Sequence, residues 1–169
     1  MATKKVTSFI EKLSAHVSEL SSLAWEGTLE DYIAMVIKDP SIHKNAHSRV
    51  LDMIESSGIK RSEDGDVEEY DFFSEDLFGV EDSLEELMAY LRAAAAGSEV
   101  SRRILLLYGP TSSGKSQLAV LLKRGLEEFS KTDAGKTYCL SESPMFEDPL
   151  CAIPNELRAD FSKEYGIKI

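Results

Sequence analysis

One eight-residue string constrains this chain more than any other: Gly109-Pro110-Thr111-Ser112-Ser113-Gly114-Lys115-Ser116, which matches the pattern GxxxxGKS. Before it runs Ile104-Leu105-Leu106-Leu107-Tyr108, an unbroken apolar segment of strand length. Such a run is expected of a parallel strand covered on both faces. After it, Leu118, Leu121, Leu122, Leu126 and Phe129 recur at helical spacing. A strand, a glycine-bearing loop and a helix in that order form a phosphate-binding P-loop. Glycines at the loop ends let successive N–H groups turn inward around an anion. Lys115 supplies a mobile positive charge for β- and γ-phosphates, and the Ser116 hydroxyl is placed to ligate Mg²⁺. The helix that starts there adds the positive end of its dipole, and Gln117 lies in its first turn. The expected ligand is ATP with Mg²⁺, held by Gly109, Pro110, Thr111, Ser112, Ser113, Gly114, Lys115, Ser116 and Gln117.

Upstream, Leu77-Phe78-Gly79-Val80-Glu81 precedes an amphipathic helix carrying Leu84, Leu87, Met88 and Leu91. A short apolar turn with glycine ahead of a P-loop resembles the adenine-wrapping segment of AAA+ ATPases. On that resemblance Phe78 and Val80 pack on the base, with Gly79 between them. The plainer alternative is a helix start with a buried apolar staple.

The first sixty residues read as helices. Val6, Phe9, Ile10, Leu13, Val17, Leu20 and Leu23 share one helical face. Thr28 and Asp31 resemble a capping box, opening a second helix with Tyr32, Ile33, Val36 and Ile37 that proline ends at Asp39-Pro40. A third helix is expected from about Ser41 to Ser56. His43 and His47 lie four apart in it, but the intervening residues lack the glutamate of HExxH, so ordinary surface or packing histidines are expected.

The formal net charge of −11 marks a boundary. Glu63 to Glu86 contains twelve acids and no base, while the rest of the chain holds 18 acids and 19 bases. The expected organisation is a helical segment over 1–62, an acidic linker over 63–76 and a nucleotide-binding part over 77–169. A solvated linker is the ordinary interpretation of the acids; a docking site for a basic partner is the alternative. So acidic a chain lacks the clustered bases of a phosphate-gripping nucleic-acid binder. No apolar run reaches membrane-spanning length, and the N-terminus has no apolar leader. Cys139 and Cys151 make neither a disulfide framework nor a standard zinc site, which suits a reducing cytoplasm.

A closer resemblance is carried by longer strings. Ser22-Leu23-Ala24-Trp25-Glu26-Gly27-Thr28, Asn45-Ala46-His47-Ser48-Arg49, Tyr70-Asp71-Phe72-Phe73 and Arg103-Ile104-Leu105-Leu106-Leu107 are similar to the PrkA-type serine protein kinases. So are Leu122-Lys123-Arg124-Gly125-Leu126-Glu127-Glu128 and Ser143-Pro144-Met145-Phe146-Glu147-Asp148-Pro149-Leu150. The resemblance implies a bacterial or archaeal cytoplasmic protein of several hundred residues with an AAA-like amino-terminal part and ATP-dependent serine kinase activity. The family's loop usually carries Pro-Gly where this chain has Thr111-Ser112-Ser113, a departure confined to the variable positions.

Beyond Ser116, no hydrophobic strand ends in the Asp or Asp-Glu that would hold Mg²⁺ and orient a nucleophile. Thr137-Tyr138-Cys139-Leu140 ends in Ser141, and no sensor or arginine-finger residue is recognisable. Nor are eukaryotic kinase elements present: Asp71-Phe72-Phe73 is not DFG and precedes the loop. The expected fold is therefore α/β: an incomplete AAA+ P-loop core, a parallel sheet with flanking helices, preceded by a small helical segment. The chain is expected to be a fragment that binds ATP but carries no assigned catalytic residue. Three functions stay open: the nucleotide-binding part of a PrkA-like serine kinase, a AAA+ ATPase of protein remodelling or proteolysis, and a non-catalytic interaction fragment. Homo-oligomerisation is an expectation for the full-length form alone, and the protein substrate is not specified.

Overall fold

A computed structural model describes residues 9–15, 17–18, 24–61 and 68–169. Residues 9–15 and 17–18 are helical, and the face made by Phe9, Ile10, Leu13 and Val17 is exposed. Val6, Leu20 and Leu23, expected on that face, lie outside the described residues.

The capping box forms as read. Thr28 Oγ1 accepts from the Asp31 N–H at 3.2 Å, and Asp31 Oδ2 accepts from the Thr28 N–H at 2.9 Å. These bonds satisfy backbone donors at the start of α1 (Leu29–Lys38), which ends against Asp39-Pro40. The next helix begins later than its hydrophobic spacing suggests. Asp39 Oδ1 accepts from Ser41 N–H at 3.0 Å and starts a short 3-10 turn, Pro40–Ile42, instead. Asn45 Oδ1 then takes the Ser48 N–H at 2.8 Å and caps α2 (Ala46–Ser56). Two cap signals stand in succession, and the second one starts the helix.

Strands β1 (Ile59–Arg61) and β2 (Glu68–Tyr70) pair antiparallel, with Ile59 opposite Tyr70 and Arg61 opposite Glu68. A turn through Ser74 leads to α3 (Glu81–Ala95); the P-loop leads to α4 (Lys115–Phe129), and α5 (Asn155–Tyr165) stops at Gly166 with φ 71°.

Two apolar cores hold these elements. The first joins Met53 and Ile54 of α2, Tyr70 of β2, Phe73 and Leu77 of the turn, Leu87, Met88 and Leu91 of α3, and Phe129 of α4. It draws residues from both sides of the acidic stretch, because β2 and the turn after it fold into that core. Leu118, Leu121, Leu122 and Leu126 bring the inner stripe of α4 against it. The second core packs Tyr32 and Val36 of α1 on Leu150, Ile153 and Ile167. Arg49 of α2 reaches between them, donating to the Lys136 carbonyl at 3.0 Å and to the Gly135 carbonyl.

The parallel sheet is the expectation that the described residues do not realise. Their one sheet is the antiparallel pair β1–β2. Ile104–Tyr108 lies outside any strand or helix, and no backbone hydrogen bond joins it to another described residue. Its exposures alternate: Ile104, Leu106 and Tyr108 stand at 92, 78 and 95%, Leu105 and Leu107 at 43 and 40%. That is the two-residue period of a strand, with one face turned partly inward and the other bare. Thr137–Leu140 also forms no strand; Leu140 N–H donates to the Glu147 carbonyl at 2.9 Å, and the Tyr138 ring packs 5.4 Å from both Trp25 and Tyr32. No described helix is long and apolar enough to cross a membrane.

Candidate functional site

The GxxxxGKS loop lies at the N-terminus of α4, where backbone N–H groups lack helical partners. Gly114 is the residue before the helix and has φ 80°, in the left-handed region that glycine enters without steric penalty. Ser112 also turns left-handed, at φ 64°, in the stretch where the family pattern carries a glycine. These conformations curl Pro110 to Gly114 back over the helix start, and Leu118 N–H closes the first turn on the Gly114 carbonyl at 2.8 Å.

Lys115 lies folded into this curl. Its Nζ donates to the Gly109 carbonyl at 3.0 Å, the Pro110 carbonyl at 2.5 Å and Ser113 Oγ at 2.9 Å. All three ammonium protons therefore face neutral acceptors. A Cβ at Gly109 would stand 3.1 Å from Ser113 Oγ, a tight contact, so the missing side chain leaves room for the serine that accepts from Lys115. Thr111 and Ser116 are exposed at the rim. Gln117 Nε2, also exposed, donates to Asp76 Oδ1 at 3.0 Å.

A cavity of about 430 Å³ adjoins the loop. Gly109, Pro110, Ser113, Gly114 and Lys115 of the loop line it, with Leu77, Val80, Leu84 and Leu87 and with Leu105 to Tyr108 of the run before the loop. The structure thus places Val80 in the cavity beside the P-loop. Phe78 is elsewhere: it is 77% exposed and borders a separate hollow with Tyr70, Phe73 and Glu81. Gly79, at φ 70°, reverses the chain between the two, and its N–H donates to Glu81 Oε1 at 2.9 Å. The residue that does reach the loop is Leu77, whose Cδ2 would lie 3.3 Å from a Cβ on Gly114. Leu77 was visible in the sequence as the first member of the apolar turn. Asp76, 41 positions from Gln117, gave no sequence signal.

Asp71-Phe72-Phe73 has a structural role: Asp71 Oδ1 accepts from Lys60 Nζ at 2.5 Å, and Phe72 and Phe73 pack edge to face at 5.0 Å. The two histidines also part. His47 stands edge-on to the Tyr90 ring at 5.9 Å. His43 lies between two acceptors, Asp148 Oδ2 at 3.0 Å from Nδ1 and the Lys168 carbonyl at 3.2 Å from Nε2. Tyr32 Oη donates to the same Asp148 oxygen at 3.1 Å, and Leu150 N–H to the other at 2.8 Å. Hydrogen bonding to Asp148 holds the His43 imidazole above its ordinary value of 6.5, against the opposing effect of burial. Burial pushes the Asp148 carboxyl up, but bonds from His43, Leu150 N–H and Tyr32 outweigh it and leave the group below the usual range.

Comparison with known proteins places this arrangement in a family. The PrkA AAA domain matches residues 27–169, P-loop and both cores included. The ATP-dependent protease PrkA of Bacillus subtilis is 47% identical over 161 residues, 95% of this chain and 25% of that protein. The serine/threonine kinase YeaG of Escherichia coli K12 is 33% identical over 157 residues, 84% of this chain and 23% of its own length. An uncharacterized protein of Geobacillus stearothermophilus, encoded in the gldA 5' region, is 35% identical over 96 residues, which is 56% of this chain and 97% of that protein. The chain thus spans about a quarter of the length of the two named enzymes. No solved structure matches it. The chain belongs to the PrkA AAA domain family.

Proposed function

We propose that the chain binds ATP with Mg²⁺ at the Gly109–Ser116 loop, as the nucleotide-binding part of a PrkA-type ATP-dependent enzyme. The observation that carries this is the curled loop at the head of α4, with Lys115 inside it and an apolar cavity of about 430 Å³ beside it. Phosphate oxygens are better partners for the Lys115 ammonium than the Gly109 and Pro110 carbonyls that now accept from it, because an anionic acceptor adds the attraction of opposite charges to the hydrogen bond. The loop N–H groups and the α4 dipole favour the same anion. Ser116, exposed at the helix start, would ligate the Mg²⁺ that accompanies the phosphates and neutralises their charge. Val80 and Leu77 offer the base an apolar wall; Phe78 does not face that cavity.

The bare run supports a further element of the same proposal. Ile104–Tyr108 is the first strand of a parallel sheet, and strands from the remainder of a polypeptide as long as the relatives cover it. Catalytic acids would come from there too, since Thr137–Leu140 ends in Ser141. The names of the relatives divide the chemistry between an ATP-dependent protease and a serine/threonine kinase, and both are compatible with this nucleotide-binding end. Phosphotransfer to serine remains our first choice for the whole protein, with ATP-driven protein remodelling or proteolysis as the second.

The test is titration with a fluorescent ATP analogue beside Lys115→Ala. Saturable binding by the wild type that weakens at least about tenfold in the variant is expected, as for the loss of a charge-assisted contact. Equal binding by the two, or none by the wild type, refutes the assignment.

A further inference from the structure

Two contacts tie the segment before α3 to the loop and its helix. Gln117, in the first turn of α4, donates through Nε2 to Asp76 Oδ1 at 3.0 Å. The next residue, Leu77, packs directly on the loop: a Cβ at Gly114 would meet its Cδ2 at 3.3 Å. The segment carrying both is itself anchored from below. Asp76 N–H and Leu77 N–H both donate to the Phe73 carbonyl, at 3.2 and 3.0 Å, and Phe73 is buried in the first core. The same segment leads, three residues later, into Val80, which lines the cavity as Leu77 does. Asp76–Leu77 therefore ties the apolar lining that precedes α3 to the phosphate loop and the first turn of α4.

We propose that Asp76 is a positioning residue: its bond to Gln117 fixes the spacing between the Leu77–Val80 wall and the P-loop, so that the site engages the base and the phosphates of one nucleoside triphosphate together. This rests on the nucleotide-binding function proposed above. A ligand held at both ends gains from the second contact only while the two subsites keep the spacing of the ligand. If the wall drifts by an ångström or so, each subsite survives but the joint advantage falls. Loss of the polar link should therefore weaken ATP and spare a ligand that has phosphates but no base. Asp76 is suited to such a test because it is exposed and its side chain is absent from both cores.

The experiment measures ATP and inorganic triphosphate binding, with Mg²⁺, by calorimetry on the wild type, Asp76→Ala and Asp76→Asn. The wild type should prefer ATP. Asp76→Ala should lose about 3- to 10-fold in ATP affinity, the range for one hydrogen bond, with triphosphate affinity held within about twofold. Asp76→Asn keeps an oxygen that accepts from Gln117 and should retain the wild-type preference. A parallel loss of both ligands in Asp76→Ala, no change in either, or failure of Asp76→Asn to rescue overturns the inference. A wild type that binds triphosphate as tightly as ATP overturns it while leaving the phosphate site standing. A wild type that binds neither removes the nucleotide-binding function and this inference with it.

Discussion

His43 makes a pH-dependent prediction whose sign follows from its neighbours. A neutral imidazole has one N–H, yet both ring nitrogens face oxygens that only accept, the Asp148 carboxylate and the Lys168 carbonyl. Both bonds exist together only in the imidazolium form. The other charged groups nearby leave this pairing intact: Lys44 is taken by Asp52 at 2.6 Å, while His47, Arg102, Glu99 and Lys168 border the adjoining cleft. Folding raises the His43 value above 6.5, so its contribution is complete below that value and is lost as pH rises through the native one. Asp148 is shifted the other way, so its contribution is lost only as pH falls below its ordinary value of 3.8 and through its lowered native one. At about pH 5.5, His43→Ala should cost about 1.5–3 kcal/mol, the range for hydrogen bonds to charged groups. At about pH 9 the cost should shrink to roughly 0.5–1.5 kcal/mol, because one neutral bond remains to be lost. Urea unfolding followed by Trp25, the sole tryptophan, suits the measurement, since its ring packs edge-on to Tyr138 beside the second core. A cost independent of pH, a cost that grows with pH, or a His43 ring that titrates at or below 6.5 by NMR refutes the argument.

Two further substitutions probe the framework that carries the loop. Phe73→Ala removes a ring that is 2% exposed in the first core and should destabilise by about 3–5 kcal/mol in chemical denaturation. Arg49→Ala strands the Gly135 and Lys136 carbonyls and should cost about 1–3 kcal/mol in the same assay; Arg49→Lys, lacking the planar fork, should recover only part of it.

What the sequence disclosed was what short-range chemistry determines. Thr28 and Asp31 announced α1, Pro40 announced its end, and the leucines after Ser116 announced α4, because each signal is complete within a few residues. The third helix was misplaced by five residues, since apolar spacing marks a helical face but not the cap that starts it. Here Asn45 outcompeted the earlier start after Asp39-Pro40. Side-chain direction was the next limit. Phe78 and Val80 are two apart in one apolar turn, and the left-handed Gly79 sends them to different hollows. Contacts that close over long sequence distance were invisible, such as Gln117 with Asp76 and His43 with Asp148, because neither member has a distinctive local pattern. The run Ile104–Tyr108 reads as a strand, but the described residues form none there, because its composition states only that it wants cover and not what supplies it.

That bare run has a practical consequence. Ile104, Leu106 and Tyr108 point outward beside two rows of unclaimed peptide groups, and no charge, proline or bulge interrupts them. Such an edge is a template on which a second copy can lay down the same five residues. The net charge of −11 gives little local protection, for its surplus acids stand at Glu63–Glu86. Handled in isolation, the polypeptide should therefore be limited by concentration before it is limited by temperature, and turbidity should begin at this hydrophobic seam.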